Sequence, residues 1–540
     1  MGSVGEKNYD AIIVGAGFSG LYLLHELRKA GFTVKLIEAG SGPGGIWHLN
    51  RYPGARVDTE VPQYSYSDPA TWSTWHWKQR FPDRDELVTY FEHVVAVWDL
   101  KPHIVWNTRV TAAHWNESEN LWKIEVNGDQ YDNYICKFFC PCTGFAAKSY
   151  TPPFPGLDTF KGRVYHSGHW PVGEVNLAGQ RVAVIGTGAT GVQAIQEIGR
   201  VASHLTVVMR TPNTAIPMKN TPIDGPRNSY FKEQLPEWKK KQATTFAGFT
   251  YDFRPGKIMD LPKEKRREIY EELFNTGGLH FWLGTFNDVL ANREANEESY
   301  QYWREQVLKR IKNPEKARIL APEKQIDPFG TKRISLEQNF FETLDQDNVD
   351  IIYTRESPIK QFVPTGIETE DGTVHEFDVL VLATGFDFVT GGLTQIDIRG
   401  IGNQTVKDKF AKGVYTNLGM TIHGFPNMFF MYGPQAPTAF VTGPVSAEAQ
   451  GKWIVDCITH ITKNNYKSIN ATEEAEQEWR AHVNEGAEQG LFKEAHSWYF
   501  GDNIPGKPRE ALNYMAGMPL YKQKCQEAVD AGYKGFELVK

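Results

Sequence analysis

The sequence predicts an α/β protein built on two dinucleotide-binding, Rossmann-like domains, with a helical insertion in the second of them. Two observations carry this: a strand, glycine-rich turn and helix that occur twice, and an interval, 221–327, whose composition departs from the rest. A length of 540 residues leaves room for both domains and their cores.

In the first copy, the apolar run 9–15 enters a turn carrying Gly15, Gly17 and Gly20, and a helical pattern follows over 21–30. In the second, 181–186 enters Gly186, Thr187, Gly188 and Gly191, followed by a helical pattern over 192–199. Each copy runs on into a second strand, 33–38 and 204–210. A lone glycine triplet says little, but both copies sit in the strand–turn–helix context the fold requires. The first glycine permits the tight turn, the second lets backbone approach a pyrophosphate, and the third lets helix and strand pack closely. The phosphates then lie at a helix N-terminus, where free N–H groups favour anions.

The residue that ends the second strand discriminates between nucleotides. Glu38 ends the first, and its carboxylate can accept from ribose hydroxyls while repelling a 2′-phosphate, which suits FAD or NAD. Arg210 and Thr211 end the second, with no carboxylate; a guanidinium there either pairs with the 2′-phosphate of NADPH or is a solvated surface charge. The plan is that of an FAD domain followed by an NADP domain. Residues 1–145 form the first part of the FAD domain, and 146–220, after a linker over 146–180, the first part of the NADP domain. Residues 221–327, rich in Lys, Glu, Trp and Phe with helical spacing at 263–273 and 297–311, form the insertion. Residues 328–385 complete the NADP domain and 386–540 the FAD domain. Strands ending in Thr-Gly, at Thr143-Gly144 and Thr384-Gly385, mark the crossings between them.

Composition excludes other classes. With 58 basic and 65 acidic residues the formal charge is −7, which argues against nucleic-acid binding. No apolar run reaches the roughly 18–20 residues of a membrane span, and the first residues lack the pattern of a secretion signal. Five cysteines make no disulfide framework. Cys136, Cys140 and Cys142 match no zinc spacing and read as part of a buried strand, so no metal is expected. Nor do they form the redox pair a disulfide reductase needs. A cytoplasmic protein is expected, with oligomeric state open and a monomer the simplest arrangement.

Two further stretches narrow the chemistry. Residues 160–171 follow the pattern F-x-G-x-x-x-H-x-x-x-W-P, with Phe160, Gly162, His166, Trp170 and Pro171 in place. Residues 44–58 contain Gly45, Trp47, Tyr52, Pro53, Gly54 and Asp58. With Lys332-Arg333 and the stretch 498–506, these resemble the type I Baeyer–Villiger monooxygenases, the cyclohexanone and phenylacetone monooxygenase group, in family order over nearly the whole chain. Asp327 departs from the pattern, standing where an aromatic is common.

The resemblance implies FAD and NADPH as cofactors, O2 and a hydrophobic cyclic or aryl ketone as substrates, and a lactone or ester as product, formed through a C4a-peroxyflavin. It implies that Arg333 stabilises the anions of that chemistry and that Asp58 holds Arg333 in position. It has Lys332 and Arg210 clamp the 2′-phosphate, Trp47 pack by the flavin, and Trp498 belong to a mobile substrate lid within 386–540. His166 is expected to act as a hinge. Residues 276–286 and 438–445, with Trp498, are expected to line the substrate pocket. Two other readings stay open: a flavin monooxygenase acting on sulfur or nitrogen, and an NADPH sensor without catalysis.

Overall fold

A computed structural model describes residues 6–128 and 133–540. The larger sheet has seven strands in the order Asp397–Arg399, Thr108–Asn116, Leu121–Gly128, Asn133–Pro141, Glu6–Val14, Val34–Ile37, Ile104–Val105. Glu6–Val14 runs parallel to both of its neighbours, while the three strands between Thr108 and Pro141 form an antiparallel meander. The split explains the sequence pattern. Ala11, Ile12 and Ile13 are fully buried in a strand covered on both faces, whereas Thr108–Asn116 alternates buried and exposed where only one face is covered. Helix Phe18–Lys29 packs on this sheet and against helix Gly443–Lys463.

The second sheet is wholly parallel, in the order Val349–Tyr353, His204–Met209, Arg181–Ile185, Val379–Leu382, Arg163–His166. Helix Ala189–Val201 follows its glycine turn. The two turns are built alike. Gly15 has φ +100° and Gly186 φ +105°, and a Cβ would stand 2.7 Å from the Cys142 carbonyl oxygen in the first and 2.4 Å from that of Ala383 in the second. The Thr-Gly strand ends therefore sit directly against the first glycine of each motif. The segments leaving them do cross together: Ser149 bridges Phe386, and Tyr150 N donates to Gly385 O at 3.0 Å.

The interval expected to be helical holds helices Gly225–Gln242, Lys263–Thr276, Arg293–Leu308 and Pro314–Leu320. Three of these starts are set by side-chain caps: Asp224 accepts from Arg227 N, Asn292 from Ala295 N, and Asn313 from Glu315 N and Lys316 N. Tyr270, Trp282, Tyr300 and Trp303 fill the space beneath them. The chain then returns to the larger sheet, where Asp397–Arg399 pairs with Thr108–Asn116 and Met428 bridges Phe139. Cys136 and Cys140 lie in strand Asn133–Pro141 and Cys142 just beyond it; burial pushes all three thiols well above their ordinary pKa, which makes them inert. No helix of the described residues is long and apolar enough to cross a membrane.

Candidate functional site

Both glycine turns open into one cavity of about 910 Å³. Gly15, Gly17, Glu38, Gly45, Trp47 and Asp58 reach it from the first sheet, and Gly186, Thr187, Gly188, Arg210 and Thr211 from the second. Lys332, Arg333 and Trp498 complete the set brought together there. Gly20 and Gly191 work inside the turns instead: a Cβ on either would lie 1.9 or 2.1 Å from the carbonyl oxygen of Gly15 or Gly186.

The first turn fits an adenosine pyrophosphate. Gly17 and Gly45 face each other, a Cβ on them lying 3.7 and 3.1 Å from the opposite Cα, so this surface is bare backbone. Glu38 is buried, with Oε2 accepting from Ala16 N and Oε1 from Gly40 N, both at 2.6 Å. Burial pushes its pKa up, and those two N–H groups work the other way. A carboxylate offers about four acceptor positions, so lone pairs remain for ribose hydroxyls. Trp47 Nε1 donates to Tyr64 Oη at 3.0 Å, which fixes the indole at the cavity wall.

At the second turn a Cβ on Gly188 would meet nothing within 4 Å, the room a pyrophosphate needs. Thr187 Oγ1 donates to Thr211 O at 3.0 Å and ties the turn to the end of strand His204–Met209. Arg210 is exposed at that end, with no ion pair of its guanidinium among the described residues. Sequence reasoning missed Arg355, whose Nε donates to Arg210 O at 2.8 Å and whose Nη2 lies 3.5 Å from Thr211 Oγ1. It arrives from the neighbouring strand Val349–Tyr353, an adjacency no sequence pattern announces. Lys332 lines the same cavity, but its Nζ lies 2.6 Å from Asp327 Oδ2.

Arg333 and Asp58 meet as expected. Nε and Nη2 donate to Asp58 Oδ2 at 2.9 and 2.6 Å, and Nη1 donates to Ala439 O at 2.8 Å. Burial works against the guanidinium charge, but Asp58, Tyr499 and Tyr432 outweigh it and hold the pKa above the ordinary guanidinium value. Arg333 is thus a permanent cation with a fixed direction at the cavity wall.

Trp498 stacks on Phe388 at 4.4 Å and on Phe145 at 5.8 Å, and the chain beyond it is fastened by Asn503 Nδ2 to Phe386 O and Lys507 to Asp387. His166 ends strand Arg163–His166, its Nδ1 accepting from Gly168 N at 3.0 Å, so Nε2 carries the proton and faces Tyr150 O at 3.3 Å. Burial lowers its pKa, favouring the neutral ring. One expectation is corrected. Thr438, Val441 and Thr442 line the cavity, but residues 276–286 do not. Phe281, Trp282 and Leu283 are turned into the core, where Trp282 Nε1 donates to Gly330 O, and they back the wall rather than form it.

Two nucleotide turns converging on one cavity, with a rigid cation at its wall, define a flavoenzyme that also takes a nicotinamide nucleotide. Residues 9–221 match the model of the flavin-binding monooxygenase-like family. The chain is 43% identical over 536 residues to the cyclopentanone 1,2-monooxygenase of Comamonas sp., covering 99% of this chain and 97% of that one. It is 39% identical to the acetone monooxygenase of Gordonia sp., covering 98% and 99%. A crystal structure of cyclohexanone monooxygenase from Rhodococcus sp. Phi1 bound to NADP+ superposes with a TM-score of 0.95 at 36% identity, covering 99% and 100%. The chain belongs to the Baeyer–Villiger monooxygenases, and its cofactors are FAD and NADPH.

Proposed function

We propose that this chain inserts one oxygen atom of O2 beside the carbonyl of a hydrophobic cyclic or aryl ketone, giving a lactone or ester at the expense of NADPH. The observation that carries the reading is the Arg333 guanidinium, aimed into the shared cavity by Asp58 and Ala439 O. Bound FAD supplies the redox and oxygen-activating chemistry. The chain's part is to bind, orient and exclude water. Glu38 takes the ribose of FAD, while Arg210 and Lys332 take the 2′-phosphate of NADPH, with Arg355 adding positive charge at the same corner. Arg333 stabilises negative charge as it develops on the substrate's carbonyl oxygen, a preorganised donor in a dry site. Trp498 and the segment after it form the lid, closing on Phe388 and Phe145. His166 serves as a hinge at the crossing between the domains, 1–145 with 386–540 for FAD and 146–220 with 328–385 for NADP. Apolar Val441 and the Thr438 and Thr442 methyls favour a ketone with an apolar body. The reading locates this activity in the cytosol.

The test is NADPH- and O2-dependent turnover of purified enzyme over cyclic, linear and aryl ketones, with products identified by mass. Ester or lactone in step with NADPH oxidation supports the reading. Ketone-independent NADPH consumption with no ester from any member of the panel overturns it.

A further inference from the structure

We infer that Asp327 masks the charge of Lys332 and so limits how strongly this enzyme prefers NADPH over NADH. The inference rests on the reading that Arg210 and Lys332 receive the 2′-phosphate.

The geometry is specific. Asp327 and Lys332 both line the cofactor cavity, and Lys332 Nζ meets Asp327 Oδ2 at 2.6 Å. Oδ2 is sealed from solvent, and the ammonium reaches it off the hydrogen-bonding direction, so the contact is one of charges more than of an aligned hydrogen bond. The other carboxylate oxygen is engaged as well, Oδ1 accepting from His496 N at 3.4 Å. With a side chain 12% exposed, Oδ1 accepting from His496 N and Pro328 narrowing the backbone conformations open to Asp327 itself, the carboxylate is held beside Lys332 when a second anion arrives.

The charge balance follows. Arg210 has no ion pair among the described residues, and Lys332 carries a neutralising partner. Of the two cations meant for the 2′-phosphate, one is therefore largely cancelled before the nucleotide binds. An incoming phosphate meets an attractive ammonium and a repulsive carboxylate a few ångströms apart. A nucleotide with a 2′-hydroxyl meets no such repulsion and can donate to a carboxylate. Asp327 is thus a specificity-determining residue: it leaves the preference for NADPH to Arg210 and the neighbouring Arg355.

Binding to the FAD-loaded protein tests this without turnover. The probes are adenosine 2′,5′-bisphosphate, which carries the 2′-phosphate, and 5′-AMP, which lacks it, each titrated by calorimetry. Asp327→Asn keeps an acceptor for His496 N and removes the charge. It should tighten bisphosphate binding roughly tenfold, the scale of one like-charge contact in a partly solvated site, and leave AMP within about twofold. Lys332→Ala leaves the Asp327 carboxylate unopposed and should weaken bisphosphate binding at least roughly tenfold, and adding Asp327→Asn should recover most of the loss, a coupling that marks the two as one unit. Unchanged or weaker bisphosphate binding in Asp327→Asn overturns the inference, as does a Lys332→Ala loss that Asp327→Asn does not relieve. If neither Lys332→Ala nor Arg210→Ala alters bisphosphate binding in any background, the placement of the 2′-phosphate itself is wrong, and the inference falls with it.

Discussion

Replacing Arg333 with alanine separates chemistry from architecture. The substitution removes three hydrogen bonds, two to Asp58 Oδ2 and one to Ala439 O. The side chains of the pair are 29% and 22% exposed, so they lie between a surface ion pair, worth about 0–1 kcal/mol, and a buried one, whose breaking costs about 3–5 kcal/mol. A stability loss of roughly 1–3 kcal/mol follows, less than the ~5–15 kcal/mol that holds a domain folded. The protein should fold and hold FAD, because Arg333 is not among the groups placed at the FAD ribose or pyrophosphate. Its effect on rate should be far larger. Losing one oxyanion donor costs about 100- to 1000-fold, and here the lost group is also a fixed cation at the cavity wall, so ketone oxygenation should fall at least that far. Asp58→Ala should impair turnover less, since it frees the cation without removing it. The assay is ester or lactone formed per bound FAD, with flavin absorbance and thermal melting on the same preparation. If turnover per bound FAD stays near that of the natural enzyme while melting falls, the pair is an ordinary structural ion pair and the catalytic assignment fails.

Further outcomes follow from the same geometry. Arg210→Ala should raise the NADPH KM about ten- to a hundredfold and leave the NADH KM nearly unchanged; equal effects on both would show that Arg210 does not read the 2′-phosphate. Glu38→Gln keeps size but removes the charge behind two 2.6 Å hydrogen bonds, and should weaken FAD retention about ten- to a hundredfold, read from the flavin-to-protein absorbance ratio after gel filtration. Burial and the neighbouring Arg51 and Arg84 lower His48 from 6.5 to about 4. The unfolded chain therefore takes up this proton first, and stability should fall as pH drops from 6.5 towards about 4. His48→Gln should flatten the melting temperature over that window, and an unchanged pH slope would refute the assignment.

What could be read from the sequence was chemistry carried by neighbours along the chain. Gly15, Gly17 and Gly20 declare a turn because three positions within six residues must meet one backbone geometry, and Glu38 follows because the next strand ends at a fixed distance from that turn. Asp58 and Arg333 are 275 residues apart, and their meeting is set by packing between elements, so only resemblance to a family joined them beforehand. Arg355 lies beyond even that, since its place beside Arg210 and Thr211 depends on sheet order, with Val349–Tyr353 beside His204–Met209. Residues 276–286 show a different limit. An apolar side chain removed from water by a ligand and one removed by neighbouring protein satisfy the same hydrophobic demand, so composition cannot distinguish pocket from core. The direction of the short helix His280–Leu283 decides it, turning Phe281 and Trp282 inward. Asp327 lies between these cases. Its departure from the family pattern was visible in one residue, but its consequence appears only once the loop folds back and sets that carboxylate against Lys332.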